Sequence, residues 1–288
     1  MKTCVSSYSF SQVTSKGEYN QLTIMQLAKD MGFDAIEFTD LNAPEGKNEL
    51  EFAAELKAES DRLGLPIAAY TIGADLLNAE NLDDEIARLK AKVDVAAVLG
   101  AKVMRHDATG GFKDDRKHFM GFDQALPTLI KGYTAVTEYA ASKGIATAVE
   151  NHGYFAQESL RVEKLICGVG HPNFGALVDV GNFACADDPS QVAVGRMAPF
   201  AKHVHVKDFH IKSGCGVNPG RGFFRSRGGN YLRGAIIGHG DIPVKQCLWA
   251  LKNAGYDGYV SVEFEGMENC LDGIAIGLEN LKSMIDSL

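Results

Sequence analysis

Three carboxylates and one imidazole stand at the ends of four short apolar runs: Glu150 in GIATAVENHG, Asp179 in FGALVDVGNF, His205 in AKHVHVKDFH and Glu263 in GYVSVEFEG. Each run reads as a buried strand, and a charge buried at a strand end is costly unless something pairs with it. Carboxylates gathered together repel one another, whereas a shared divalent cation holds all three beside the imidazole. A donor set this rich in oxygen suits Mn2+ foremost, or Mg2+, and also accommodates Co2+ or Zn2+. No cysteine occupies the four positions, which weakens a structural zinc reading. The blander reading pairs His205 with one glutamate and leaves the rest solvated. The equivalent placement of all four in successive units favours the metal.

Further polar residues share the same strand ends. In KHVHVKD the period of two sets His203, His205 and Lys207 on one side, and in VSVEFEG it does the same for Glu263 and Glu265. Of that last pair, Glu263 is taken as the ligand because Glu265 lies nearer the following glycine, which leaves Glu265 to face a loop or an arginine. Asn151 and His152 directly follow Glu150, placed to meet substrate hydroxyls or to brace the ligands. For His152, an ordinary loop histidine is an equal reading. Asn182, three residues after Asp179, is a substrate contact or a helix cap. Glu37 and Arg105 are charged residues inside the second and fourth strands, expected to meet substrate or to pair with each other.

Eight strands are needed to carry these groups. Apolar β-rich runs alternate with helical-period segments throughout the chain, beginning at TCVSSYSF and ending at GYVSVEFEG. Leu22, Met25, Leu27 and Ala28 form one apolar helix face, and Ile86, Leu89, Val93, Ala96 and Ala97 another. A long helix is expected from about Asp123 to Ser142. Gly32, Gly64, Gly100, Gly144 and Gly255 each fall where a helix must end in positive φ before the next strand. Nearly all-apolar strands indicate burial on both faces, as in a parallel sheet. Eight βα units in a row predict a closed (β/α)8 TIM barrel, an α/β fold in which residues 1–288 make one domain.

The spacing of the candidates marks one irregularity. Glu150 to Asp179 and Asp179 to His205 are each one βα unit, but His205 to Glu263 is too long by an insertion, IKSGCGVNPGRGFFRSRGGNYLRGAIIGHGDIP. This stretch shows no helical period and predicts a long loop after strand seven, on the side where active-site loops belong. It carries Arg221, Arg225, Arg227 and Arg233, of which one, Arg233 being the choice, is expected to reach the site.

Composition bounds the remaining possibilities. With 45% hydrophobic and 23% charged residues in 288, a large core can form. A net charge of −8 argues against nucleic acid or anionic membrane as the main partner. No apolar stretch is long enough to span a bilayer, and the first residues lack the pattern of a secretory signal. The six cysteines form no C-x-x-C pair, so free thiols in a reduced, cytoplasmic setting are expected, each a small buried apolar residue. No P-loop, dinucleotide fingerprint or serine-hydrolase elbow is present.

The strand-five AVEN, strand-six LVDVGNF, strand-seven HVHVKD and strand-eight VSVEFEG together resemble the sugar phosphate isomerase/epimerase family of xylose isomerase-like TIM barrels, over essentially the whole chain. The resemblance implies a divalent metal, often Mn2+, on Glu150, Asp179, His205 and Glu263, with Glu150 and Glu263 also serving as acid/base groups. It implies a carbohydrate substrate and a homo-oligomer. The chemistry is removal of a proton next to a carbonyl to give an enediolate, returned for isomerisation or epimerisation, or followed by loss of a β group in an inosose dehydratase or a lyase on 3-keto-glycosides. His152 or His203 is the extra acid. The chain departs from the ketose 3-epimerases at Asn182, where they carry histidine, so their substrate contacts do not transfer. A non-catalytic sugar-binding barrel and a DNA-repair nuclease are the other readings, the latter disfavoured by the acidic charge.

Overall fold

In the computed structural model, which describes all 288 residues, eight parallel strands close into a barrel. They are β1 (Lys2–Ser6), β2 (Ala35–Phe38), β3 (Ile67–Ile72), β4 (Val103–His106), β5 (Ala146–Glu150), β6 (Phe174–Asp179), β7 (Ala201–Val206) and, after an excursion of three further strands, β11 (Tyr259–Val262). The closed order β1-β11-β7-β6-β5-β4-β3-β2 makes each strand the neighbour of its successor, as the sequence pattern predicts.

Helices follow each strand and cover the outside. Local sequence explains their ends. The helix Glu49–Leu63 begins in a reciprocal capping box, in which Asn48 accepts from the Glu51 N–H and Glu51 reaches back to the Asn48 N–H, and it ends at Gly64 with φ 58°. The five glycines expected at helix-to-strand turns all adopt positive φ. The long helix runs from Phe122 to Ser142, within a residue of expectation. Of the two expected helix faces, Met25, Ala28, Ile86, Leu89, Val93 and Ala96 are buried, while Leu22 and Leu27 are only partly so and Ala97 points to solvent.

The main apolar core lies between strands and helices. Inside the barrel a separate small cluster, Ala69, Val103, Ala148 and Leu177, packs together. With a period of two, Val103 leads to Arg105, Ala148 to Glu150 and Leu177 to Asp179, so the polar groups form the next layer along the same inward face.

Two expectations are corrected here. The insertion is not simply a long loop: β8 (Asp208–Lys212), β9 (Phe224–Arg225) and β10 (Tyr231–Ala235) form an antiparallel sheet in the order β8-β10-β9. Asp208 anchors it. Its carboxylate accepts the backbone N–H groups of Phe209, Gly238, Gly240 and Ile242 at 2.8 to 3.1 Å, which closes the ends of the excursion onto each other. The cysteines are all free, but Cys167 and Cys215 are exposed, on a helix's outer face and in a turn of the insertion, and are not core residues. No helix is long and apolar enough to cross a membrane.

Candidate metal centre

The carboxyl ends of β5, β6, β7 and β11 bring Glu150, Asp179, His205 and Glu263 together, with one donor atom of each within 4.8 Å of all the others. His205 Nδ1 stands 3.8 Å from Glu150 Oε1, 4.0 Å from Asp179 Oδ2 and 3.5 Å from Glu263 Oε2. Donors held about 2.0 to 2.2 Å from a common ion lie at comparable separations from one another. All four side chains are buried; Asp179 Oδ2 and Glu263 Oε2 share one partner, the Lys207 ammonium at 3.2 and 2.6 Å, and His205 Nδ1 makes no hydrogen bond. Two buried carboxylates sharing one ammonium, beside a buried ring nitrogen with no hydrogen bond, are costly. Three such atoms converging on one point, with hard donors, fit a divalent cation.

The surroundings aim these groups. Asp179 Oδ1 accepts the backbone N–H groups of Gly181 and Asn182 at 2.8 and 2.9 Å, which turns the chain sharply after β6 and leaves Oδ2 to face the other donors. The turn requires glycine: a Cβ on Gly181 would lie 2.5 Å from Lys207 Cγ and 2.8 Å from the Lys207 carbonyl oxygen. Asn151 braces the same strand end by donating to the Asp179 carbonyl and accepting its N–H. It holds the backbone and does not line the cavity. Asn182 donates to Glu150 Oε1 at 3.0 Å, so it orients a ligand and is not only a cap. On the far side of His205, Glu37 Oε1 lies 2.6 Å from Nε2, while Glu37 Oε2 lies 2.5 Å from His203 Nε2. A carboxylate facing Nε2 keeps the proton there and leaves the Nδ1 lone pair for the other three donors.

Glu37 and Arg105 therefore do not pair with each other. Closure of the barrel delivers Glu37 to the two histidines across β1 and β11, whereas Arg105 makes ion pairs with Glu150 at 2.5 Å and Asp107 at 2.7 Å. Asp107 also binds His152 Nδ1 at 2.9 Å. Burial pulls the His152 imidazole down, but Asp107 and Glu150 more than reverse that and hold it above its ordinary value. Lys207 Nζ is surrounded by Glu263 at 2.6 Å, Asp179 at 3.2 Å and Glu265 at 3.2 Å, so Glu265 faces a lysine rather than an arginine. Burial pushes the Asp179 carboxyl up. Glu263, also raised by burial, is brought well below the usual carboxylate range by Lys207 and His205.

These groups open into a cavity of about 350 Å³ whose wall includes Arg105, Glu150, His152, His205, Lys207 and Glu263. Of the other residues singled out from the sequence, His203 and Glu37 lie behind the four clustered donors, sealed from the cavity, and Arg233 stacks on Phe223 and faces Glu268 away from it. Sequence reasoning missed Asp107, Tyr8, Thr39, Asp40 and Thr71. For Asp107 a signal existed: three charged or titratable residues crowd one strand end in VMRHDA.

A closed eight-stranded α/β barrel with a four-donor cluster at the carboxyl ends of its strands defines a TIM barrel with a candidate metal site at its mouth. The chain belongs to the xylose isomerase-like TIM barrel family, whose sequence signature matches residues 25–284. A curated relative, the inosose dehydratase of Geobacillus thermodenitrificans, is 24% identical over 220 residues, covering 73% of this chain and 72% of that protein. Among solved structures, the IOLI protein with a bound zinc atom superposes with a TM-score of 0.77 at 16% identity, covering 100% of this chain and 99% of that one. The 3-keto-D-glucoside 4-epimerase of E. coli superposes with a TM-score of 0.72 at 17% identity, covering 98% and 99%.

Proposed function

We propose that this chain is a divalent-metal enzyme, with Mn2+ the first choice, that isomerises or epimerises an uncharged keto-sugar by moving a proton next to its carbonyl. The convergence of buried Asp179 Oδ2, His205 Nδ1 and Glu263 Oε2 beside Glu150, with a single ammonium shared by the first and last, is the observation that carries this reading. When bound there, a divalent ion supplies the positive charge that draws electrons toward a substrate oxygen.

The chain's own residues do the rest. Glu150, held by Arg105 and Asn182, takes the proton from the carbon next to the carbonyl. Glu263 enters from β11, with β7 and β6 between it and β5, and so returns a proton from a different side of the sugar. Lys207 Nζ donates to the oxygen on which charge develops. Both fixed cations of the cavity, Arg105 and Lys207, are already engaged by carboxylates, which favours a neutral sugar over a phosphorylated one.

A dehydration is the second reading, favoured by His152. Its Nδ1 is held by Asp107, and the half-exposed ring lies at the cavity lip, where Nε2 is placed to protonate a departing hydroxyl. The curated relatives named inosose dehydratase support that alternative.

Incubation of Mn2+-loaded protein with ketoses, inososes and 3-keto-glycosides in D2O tests both. Deuterium at the carbon next to the carbonyl without elimination supports isomerase or epimerase chemistry, and an unsaturated product supports dehydration. Glu150→Gln is expected to slow exchange by about 10²-fold or more with Mn2+ still bound. Undiminished exchange would remove Glu150 as the base.

A further inference from the structure

A second cavity, of about 310 Å³, adjoins the metal cavity and shares Tyr8 and Thr39 with it. It is formed by the segments after β1 and β2, from Ser7 to Ile24 and from Thr39 to Phe52. No charged residue lines it. Tyr8, Tyr19 and Phe52 supply aromatic walls, and the side chains of Tyr8, Ser11, Tyr19 and Asn42 make no hydrogen bond within the chain. Aromatic faces beside uncommitted neutral hydroxyl and amide groups suit a sugar ring, which offers C–H faces and hydroxyls but no charge.

The cavity is built in advance of any ligand. Gln21 ties its two loops together, donating to the Asp40 carbonyl at 3.1 Å and accepting the Asn42 N–H at 2.8 Å. Ser7 Oγ accepts the Thr39 N–H at 3.0 Å, a second tie between them. Size points the same way. Ligand sites commonly run from about 300 to 1,000 Å³, so the metal cavity alone is at the small end and the two joined are mid-range.

We infer that this second cavity is a subsite for an uncharged second ring or aglycone, so that the preferred substrate is a keto-glycoside of disaccharide size rather than a free sugar. The inference rests on the proposed keto-sugar chemistry and names its substrate class. Tyr8, at the shared wall, would lie between the reacting ring and the second one.

Calorimetric titration of the Mn2+-loaded protein with 3-ketotrehalose and with 3-ketoglucose tests it, alongside deuterium exchange on both. The disaccharide is expected to bind at least about tenfold more tightly. Ser11→Phe, which fills the second cavity from an exposed position, is expected to erase that advantage and leave 3-ketoglucose unaffected. Tyr19→Ala should reduce the advantage by removing an aromatic wall. Equal affinity for both probes in the parent protein, or a Ser11→Phe loss that falls on both alike, overturns the subsite. If neither probe exchanges deuterium but the affinity difference and its loss in Ser11→Phe are seen, the subsite stands and the proton-transfer reading fails. If both probes exchange deuterium but bind with equal affinity, the subsite fails and the proton-transfer reading stands.

Discussion

Glu37 illustrates how a residue outside the cavity can govern the candidate metal site. It is wholly buried and grips two histidines at once, of which only His205 faces the other three donors. Glu37→Gln keeps the shape but removes the charge that holds the Nε2 proton. Calorimetric titration is expected to show Mn2+ affinity reduced by about 10- to 100-fold. Unchanged affinity would mean that packing alone orients His205. His106 makes a different prediction, on stability. Burial lowers its pKa to about 4 from 6.5, its Nδ1 donates to the Asp107 carbonyl and its ring stacks on Tyr133. The unfolded chain takes up this proton before the folded chain does. The contribution is therefore full above pH 6.5 and is lost as pH falls toward about 4, amounting to roughly 3 kcal/mol. Urea midpoints across that range should decline less steeply in His106→Phe than in the parent protein.

Among the elements, the turn after β6 and the β8–β10 sheet do most to shape the site. Gly181→Ala would drive a methyl group into the Lys207 backbone, and the clash falls directly behind Asp179. Overpacking of this kind costs about 1–3 kcal/mol, and weaker Mn2+ binding should accompany the drop in stability. An alanine variant with parent-like metal affinity would show that the turn can shift without moving the ligand. Asp208 holds both ends of the insertion with four backbone hydrogen bonds. Bonds to a charged acceptor are worth about 1.5–3 kcal/mol each. Asp208→Ala should raise hydrogen exchange across residues 208–242 well beyond any change in the barrel strands. Uniform exchange would mean that the sheet stands without this anchor.

For the whole molecule, the proposed metal binding would be coupled to folding, because the four donors come from four strands and converge only in the closed barrel. Mn2+ at 100 times its dissociation constant should add about 2.7 kcal/mol, seen as a Tm rise of a few degrees. Asp179→Asn should abolish that rise, and a rise surviving in this variant would place the ion elsewhere. Much of this architecture is written locally. The period of two that sets Glu150, Asp179 and His205 on inward faces, the glycines that stop helices, and the order of βα units are properties of short segments, so the sequence alone determined the barrel and the four residues at its mouth. Partner choice is not local. Glu37 lies 166 positions from His203 and meets it only when β1 joins β11, which is why the alternative of a pairing with Arg105 failed. The sheet within the insertion and the second cavity beside Tyr8 likewise depend on hydrogen bonds between distant backbone segments, and on how loops close over the barrel. Periodicity records which way a side chain points, whereas what it touches is decided by the strand register and ring closure of the folded chain.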